Sequence, residues 1–216
     1  GLFTIARKLS SVVQLVRIAF GYVMAPLAST AERIDRAQVA AIYAYSTRLI
    51  FAIAIPLGVV LAAGSASLLT LFSPEARTAQ TAVVILFVAR SVEAIVGMSQ
   101  PILQVVGAFR HQLTAGLVGV AVAICSGWVA AAWLTPLNAV TLAMSVGIVV
   151  MSAVPMVQLH LTEHLHPLDH HFPPVAMRTL AIAAVGAAAA LLAVRLPDII
   201  ALPLIVLLAA AAIWLS

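Results

Sequence analysis

The chain has 216 residues, 64% of them hydrophobic and only 8% charged, with a formal net charge of +4. Soluble domains carry about 25% charged residues, so this composition excludes an ordinary water-soluble fold. The sequence pI of about 10.0 reflects a few loop cations with no basic–aromatic interleaving, so no nucleic-acid partner is expected.

A bilayer core of about 30 Å needs roughly 20 apolar residues per helical crossing. Seven stretches meet that length, at 5–28, 46–72, 79–107, 110–134, 137–161, 175–195 and 198–216. They are long and apolar on most faces, unlike the ten-residue alternating runs of a membrane β-barrel. The expected fold is therefore all-α, a polytopic transmembrane bundle of about seven helices.

The first stretch carries Arg7, Ser10, Gln14, Arg17 and Gly21 at spacings of 3, 4, 3 and 4. These positions share a wedge of roughly 80° on one helix face. Arg17 falls near mid-membrane, where an arginine costs about 2.5–3.5 kcal/mol on insertion scales. Water, a carboxylate, a ligand anion or snorkelling to the interface would offset that cost. Arginine's fixed fork of donors suits phosphate oxygens.

The second stretch has Pro56 and Gly58 inside it. The third repeats the polar stripe: Arg90, Glu93, Gly97, Gln100, Gln104 and Gly107 are spaced 3, 4, 3, 4 and 3, within a wedge of roughly 100°. A polar stripe on a lipid-buried helix must face protein or a water-filled cavity. Arg90 and Glu93 stand one turn apart and can pair. Glu93 is the only carboxylate well inside an apolar stretch, hence the candidate for ion coupling. Gln14, Gln100 and Gln104 could meet sugar hydroxyls or bond to neighbouring helices. Pro101 deletes a backbone hydrogen bond and should kink the helix, making Gly97–Pro101 a candidate hinge; close helix packing is the plainer reading.

Cys125 lies alone in the fourth stretch, which excludes an intramolecular disulfide and leaves a small packing residue. Pro155 interrupts the fifth, and Pro203 the seventh. Between the fifth and sixth, His160, His164, His166, His170 and His171 accompany Glu163 and Asp169. His160 and His164 are one turn apart, a metal-ligand spacing, but a solvated titratable loop is the expectation and no metal site is assigned. No cofactor motif and no constellation for covalent catalysis occurs, so the chain is not expected to be an enzyme. Arg33, Arg36, Arg48, Arg110 and Arg178 flank alternate connections, against Arg77 and Arg195 on the others. The positive-inside rule then starts the chain outside and ends it in the cytoplasm. An odd helix count with an outer start suggests a piece of a longer protein.

Three segments resemble a known family. The run "GLFTIARKLSSVVQLVRIAFGYVMAPLAS" is similar to the helix of bacterial polysaccharide flippases that reads Gly-x-(Tyr/Phe)-x-x-Ala-x-x-Leu and ends near a proline. "YAYSTRLIFAIAIPLGVVLAAGSASLLTLFSPEARTA" resembles their following helix, with a mid-helix proline and a closing Leu-Phe. "SQPILQVVGAFRHQL" resembles their Gln-x-x-Leu-x-x-x-Gly-x-x-Arg element, here Gln100, Leu103, Gly107 and Arg110. The resemblance spans roughly residues 1–162 and is to the polysaccharide-flippase branch of the multidrug/oligosaccharidyl-lipid/polysaccharide exporter superfamily. It implies one half of a fourteen-helix, two-bundle transporter, the C-terminal bundle, with the N-terminal bundle as a missing partner. It also implies a bacterial inner-membrane location and an undecaprenyl-pyrophosphate-linked oligosaccharide as substrate, moved by alternating access for O-antigen or exopolysaccharide assembly. Arg17 and Arg90 would then face phosphates and Gln14, Gln100 and Gln104 the sugars. A cation-coupled multidrug exporter of the same superfamily, an integral-membrane glycosyltransferase or polymerase, and a structural membrane subunit are the alternatives.

Overall fold

A computed structural model describes residues 1–32, 35–106 and 109–215. Arg33 and Gly107, both named above, lie outside the described residues. The described residues form helices and turns, with no strand among them. Nine α-helices are described: α1 (Leu2–Glu32), α2 (Arg36–Ala63), α3 (Ser65–Thr70), α4 (Gln80–Val96), α5 (Ser99–Val105), α6 (Phe109–Ala131), α7 (Pro136–Glu163), α8 (Phe172–Ala193) and α9 (Asp198–Leu215). A 3₁₀ segment, Pro74–Ala79, leads into α4.

Among the described residues, six spans are long and apolar enough to cross a membrane, and α9 adds a shorter apolar one. At 1.5 Å per residue, the 18 residues of α9 cover about 27 Å. The chain is thus a multi-pass helical membrane protein with about seven helical passes.

Three boundaries differ from the sequence reading. The expected connection from 29 to 45 is largely helix: α1 runs to Glu32 and α2 starts at Arg36. Hydropathy marks where the lipid-soluble run stops, whereas Ala, Glu, Arg and Gln around it continue the backbone ladder readily. Asp35 caps α2, its carboxylate accepting from the Ala37 N–H at 3.0 Å. The stretch expected at 46–72 breaks at Gly64 into α2 and α3. A Cβ on Gly64 would stand 2.7 Å from Ile205 Cγ2 of α9, so the glycine admits that helix.

The third difference bears on the site. The stretch expected at 79–107 is two helices, α4 and α5, separated at Gly97–Met98. Pro101 has no N–H for the Gly97 carbonyl and its ring would crowd that oxygen, so the break appears four residues upstream of the proline. The Gln100 N–H closes the gap with a tighter bond to the Gly97 carbonyl at 3.2 Å. Pro101 itself becomes the third residue of α5, within the first turn, where prolines are tolerated.

Helix α2 is the hub, packed on α1, α4, α8 and α9, while α6 packs chiefly on α7. Tyr43, Ile50, Phe87, Met98, Ile102, Leu159 and Ile205 are fully or almost fully buried between these helices. Leu113, Leu117, Val120 and Ile124 of α6 are exposed apolar side chains, the surface a lipid-facing helix presents. Trp128 and Trp133 at one end of the α6–α7 pair, and Trp214 at the end of α9, are exposed as interfacial aromatics are.

Candidate functional site

The two polar stripes meet. Ala6, Ser10 and Val13 bury one face of α1, and Arg17 continues it toward α4. On α4 the buried face runs through Leu86, Phe87, Arg90, Glu93 and Ala94. The Glu93 carboxylate lies between two guanidinium groups. Arg17 Nη2 is 3.2 Å from Glu93 Oε1, and Arg90 Nη1 donates to Glu93 Oε2 at 2.5 Å. Both carboxylate oxygens are engaged, and the three side chains carry a formal charge of +1.

The cluster is largely enclosed, with side-chain exposures of 19% for Arg17, 10% for Arg90 and 7% for Glu93. Taking such charges out of water costs several kcal/mol per ion, which a two-sided ion pair can offset. Compensation is incomplete, because Arg17 Nε and Arg90 Nε are buried without an acceptor. Two spare N–H donors beside a net positive charge suit an anion.

The helix break adjoins this cluster. A Cβ on Gly97 would fall 2.5 Å from Arg17 Cδ, so the arginine stem crosses α4 where there is no side chain. Gly97 therefore serves the ion pair as well as the break.

The glutamines lie apart from the cluster's hydrogen bonds. Gln14 is half-buried on α1, about one turn before Arg17. Gln100 Nε2 donates to the Met151 carbonyl of α7 at 3.4 Å, and Gln104, exposed, donates to Gln112 Oε1 at 3.1 Å. Arg7 and Lys8 are exposed, about 15 Å along α1 from Arg17. The structure thus joins Arg17, Arg90, Glu93 and Gly97, and turns Gln100 and Gln104 toward α7 and α6.

Sequence reasoning did not single out the receiving side of α7. The single Ser99 hydroxyl hydrogen lies between the Val96 carbonyl at 2.6 Å and the Ser152 carbonyl at 3.2 Å, beside the Gln100–Met151 bond. Pro155 is the signal that was available: it has no N–H for the carbonyl four residues earlier, which belongs to Met151. A polar side chain from a neighbouring helix supplies the missing donor, as membrane interiors require.

Grooves on the surface are apolar. One of about 410 Å³ lies between α4 and α7, lined by Val84, Val88 and Val92 on one side and Leu142, Val146 and Val150 on the other. Another of about 680 Å³ follows α6 past the exposed Cys125 to Trp133. The ionic cluster lines neither.

The histidine-rich connection is strapped to α2. Arg36 Nη1 donates to Glu163 Oε2 at 2.7 Å, and Arg48 Nη1 is 3.1 Å from Asp169 Oδ2. His164 ends α7 in a left-handed conformation, with φ of 56°. His160 packs edge-on against His166, and the rings of His170 and His171 touch at a tilt of 43°. Among the described residues no three His, Cys, Asp or Glu side chains are grouped to hold a metal ion.

Apolar multi-pass helices around a buried Arg–Glu–Arg cluster define the class: an all-α integral membrane protein with charge stored in its interior. No protein family model, curated protein or solved structure matches this chain.

Proposed function

We propose that the chain is the C-terminal bundle of a bacterial inner-membrane flippase that moves an undecaprenyl-pyrophosphate-linked oligosaccharide for surface-polysaccharide assembly. Carrier and sugar come from the family resemblance of residues 1–162. The observation that carries the reading is the Arg17–Glu93–Arg90 cluster, net positive and with two buried N–H donors lacking acceptors. Interior positive charge in lipid is costly, and a pyrophosphate is an anion that would use it. In this reading Arg17 and Arg90 contact phosphate, Glu93 holds the two guanidinium groups in place, and the chain ends in the cytoplasm.

The cation-coupled exporter is the weaker reading, since both oxygens of Glu93 already face arginines and leave no free negative charge for a cation. Glu93 would couple ions only after releasing at least one of them.

The test replaces all three charges in the native cellular protein, Arg17→Gln, Arg90→Gln and Glu93→Gln. This removes the anion site without orphaning a charge in lipid. Surface polysaccharide should be lost at unchanged protein level, and Arg17→Lys with Arg90→Lys should restore part of it. Normal surface polysaccharide in the triple variant would refute the assignment. Drug efflux abolished by Glu93→Gln but not by the arginine substitutions would favour the exporter.

A further inference from the structure

We infer that the turn between α7 and α8 is a proton-dependent docking face for anionic lipid headgroups, built from exposed histidines around Leu168. It lies apart from the Arg17–Glu93–Arg90 cluster and rests on none of the roles assigned there.

Every histidine of the chain stands at one end of the bundle. His111 opens α6, His160 lies in the last turn of α7, and His164, His166, His170 and His171 follow it. The Arg36–Glu163 pair brings the start of α2 to this end, and the Gln158–Thr114 bond of 3.0 Å brings the start of α6. The turn joins two helices of membrane-crossing length, so it sits where they leave the lipid.

The turn holds its imidazoles outward. Leu165 and Pro167 are buried, while His164, His166 and Leu168 are exposed. Arg48 ties down the next residue, Asp169. His166 Nδ1 lies 3.0 Å from the Leu168 amide nitrogen and 3.1 Å from its carbonyl oxygen. When neutral, that ring nitrogen accepts from the amide; when protonated, it donates to the carbonyl. His166 thus has a partner in either charge state, and the turn keeps its shape. Leu168, 43% exposed, is an apolar tip among imidazoles. Apolar side chains flanked by cations are how surface segments engage the boundary between headgroups and acyl chains.

Charge at this end is nearly balanced while the histidines are neutral. Arg36, Arg48, Arg110 and Arg178 stand against Glu32, Asp35, Glu163 and Asp169, and the sequence adds Arg33. Tyr45, a titratable neighbour on α2, lies against the Arg48 guanidinium at 6.0 Å. The carboxylates nearest the histidines are already engaged, Glu163 by Arg36 and Asp169 by Arg48. Histidine side chains take up a proton between pH 5 and 8, so acid adds positive charge here with no carboxylate to spend on it. The rings are also paired, with centroids 5.2 Å apart for His160 and His166 and 3.7 Å apart for His170 and His171. Imidazolium rings that close repel one another unless an anion joins them. Headgroup phosphate oxygens accept from imidazolium N–H groups and supply that charge. Proton uptake and headgroup binding therefore strengthen each other, with binding present at low pH and lost as pH rises. A soluble phosphate offers the same oxygens, but the place of the turn at the membrane surface and its apolar tip favour a lipid.

The test uses the full chain in lipid nanodiscs, with Cys125→Ala as background and a nitroxide spin label on Leu168→Cys. In phosphatidylglycerol mixed with phosphatidylcholine, the label should lose mobility severalfold as pH falls from about 8 to about 5. In phosphatidylcholine alone it should stay mobile throughout. Combining His164→Gln, His166→Gln, His170→Gln and His171→Gln should abolish the response. His170→Gln with His171→Gln, which leaves the His166–Leu168 contacts intact, should reduce it. No response in the anionic nanodiscs, an equal response in phosphatidylcholine alone, or one that survives the fourfold substitution overturns the proposal. Immobilisation by inorganic phosphate in phosphatidylcholine nanodiscs would assign the face to a soluble anion and overturn the lipid docking. If the fourfold variant does not retain its helix content, the double variant decides, and an unchanged response there refutes the histidine face. None of these readouts depends on translocation, so this face and the flippase reading can fail separately.

Discussion

Arg17 and Glu93 meet at 3.2 Å across the α1–α4 contact, and this ion pair turns two separate polar stripes into one buried cluster. Arg90 closes the other side of the same carboxylate. One anion thus serves two cations that lipid would otherwise reject, which makes Glu93 the member whose loss costs most. Glu93→Gln leaves two largely buried guanidinium groups without a counter-charge. The expected destabilisation is about 3–5 kcal/mol, the range for breaking a buried pair from one side. Arg17→Gln should cost less, since Arg90 still neutralises Glu93. Denaturant unfolding of the purified protein in detergent ranks the two, and an equal or reversed ranking would contradict the central role of Glu93.

Gly97→Ala probes the same cluster through its shape. The new methyl would overlap Arg17 Cδ, and that side chain is anchored at its far end and cannot simply swing aside. Overpacking of this kind costs about 1–3 kcal/mol. Combined with Arg17→Ala, which removes the obstructing stem, the glycine substitution should lose only part of its cost, because the Glu93 carbonyl oxygen, also 2.5 Å from the new methyl, is backbone and stays. A double-mutant cycle measures the coupling, and strict additivity would show that Gly97 is needed only for its backbone.

Hydropathy made the passes legible, because about seven apolar runs of membrane length can hardly be anything else. It misplaced the junctions around residues 32–36 and 64, since transfer into lipid and backbone hydrogen bonding are different properties. The Arg90–Glu93 pair was readable from its spacing on one helix. The approach of Arg17 was not, because nothing in a single sequence states which helices adjoin. Both stripes did announce that they face protein or water, and each found a partner there. Gln100 shows the limit most clearly. Its polarity was evident, but its acceptor on α7 exists because of Pro155, some fifty residues away in the chain.

Two glycines of the α6–α7 pair should respond in opposite directions to the same change. At Gly147 an added methyl stands 2.7 Å from Ala123 Cβ and 3.1 Å from the Gly119 carbonyl oxygen, in the tightest part of the crossing. Gly147→Ala should force the helices apart and cost about 1–3 kcal/mol. At Gly116 a methyl meets nothing within 4 Å, so Gly116→Ala should gain up to about 1 kcal/mol from helix propensity. Unfolding midpoints of the two variants, measured side by side in one detergent, check the contrast. Equal shifts would mean that the close approach of α6 and α7 does not govern their stability.

The strap over α2 gives a final contrast between two ion pairs of unequal enclosure. Arg36 is 69% exposed where it meets Glu163, and surface pairs of this kind contribute about 0–1 kcal/mol. Arg48 and Asp169 are 19% and 27% exposed, and Asp169 Oδ1 is buried without a hydrogen-bond donor. Losing Arg48 would leave that carboxylate with no counter-charge beside a turn of histidines, so the turn itself should detach. Phe172 packs edge-on against Phe51 of α2 just beyond it, and limits how far the detachment spreads. Limited proteolysis in detergent should therefore cut within residues 164–171 markedly faster in Arg48→Ala than in the parent chain. Arg36→Ala should change the cutting rate little, because Glu163 belongs to the last turn of α7 and is held by the helix. Equal sensitivity of the two variants would show that the turn is held by its own backbone and not by Arg48.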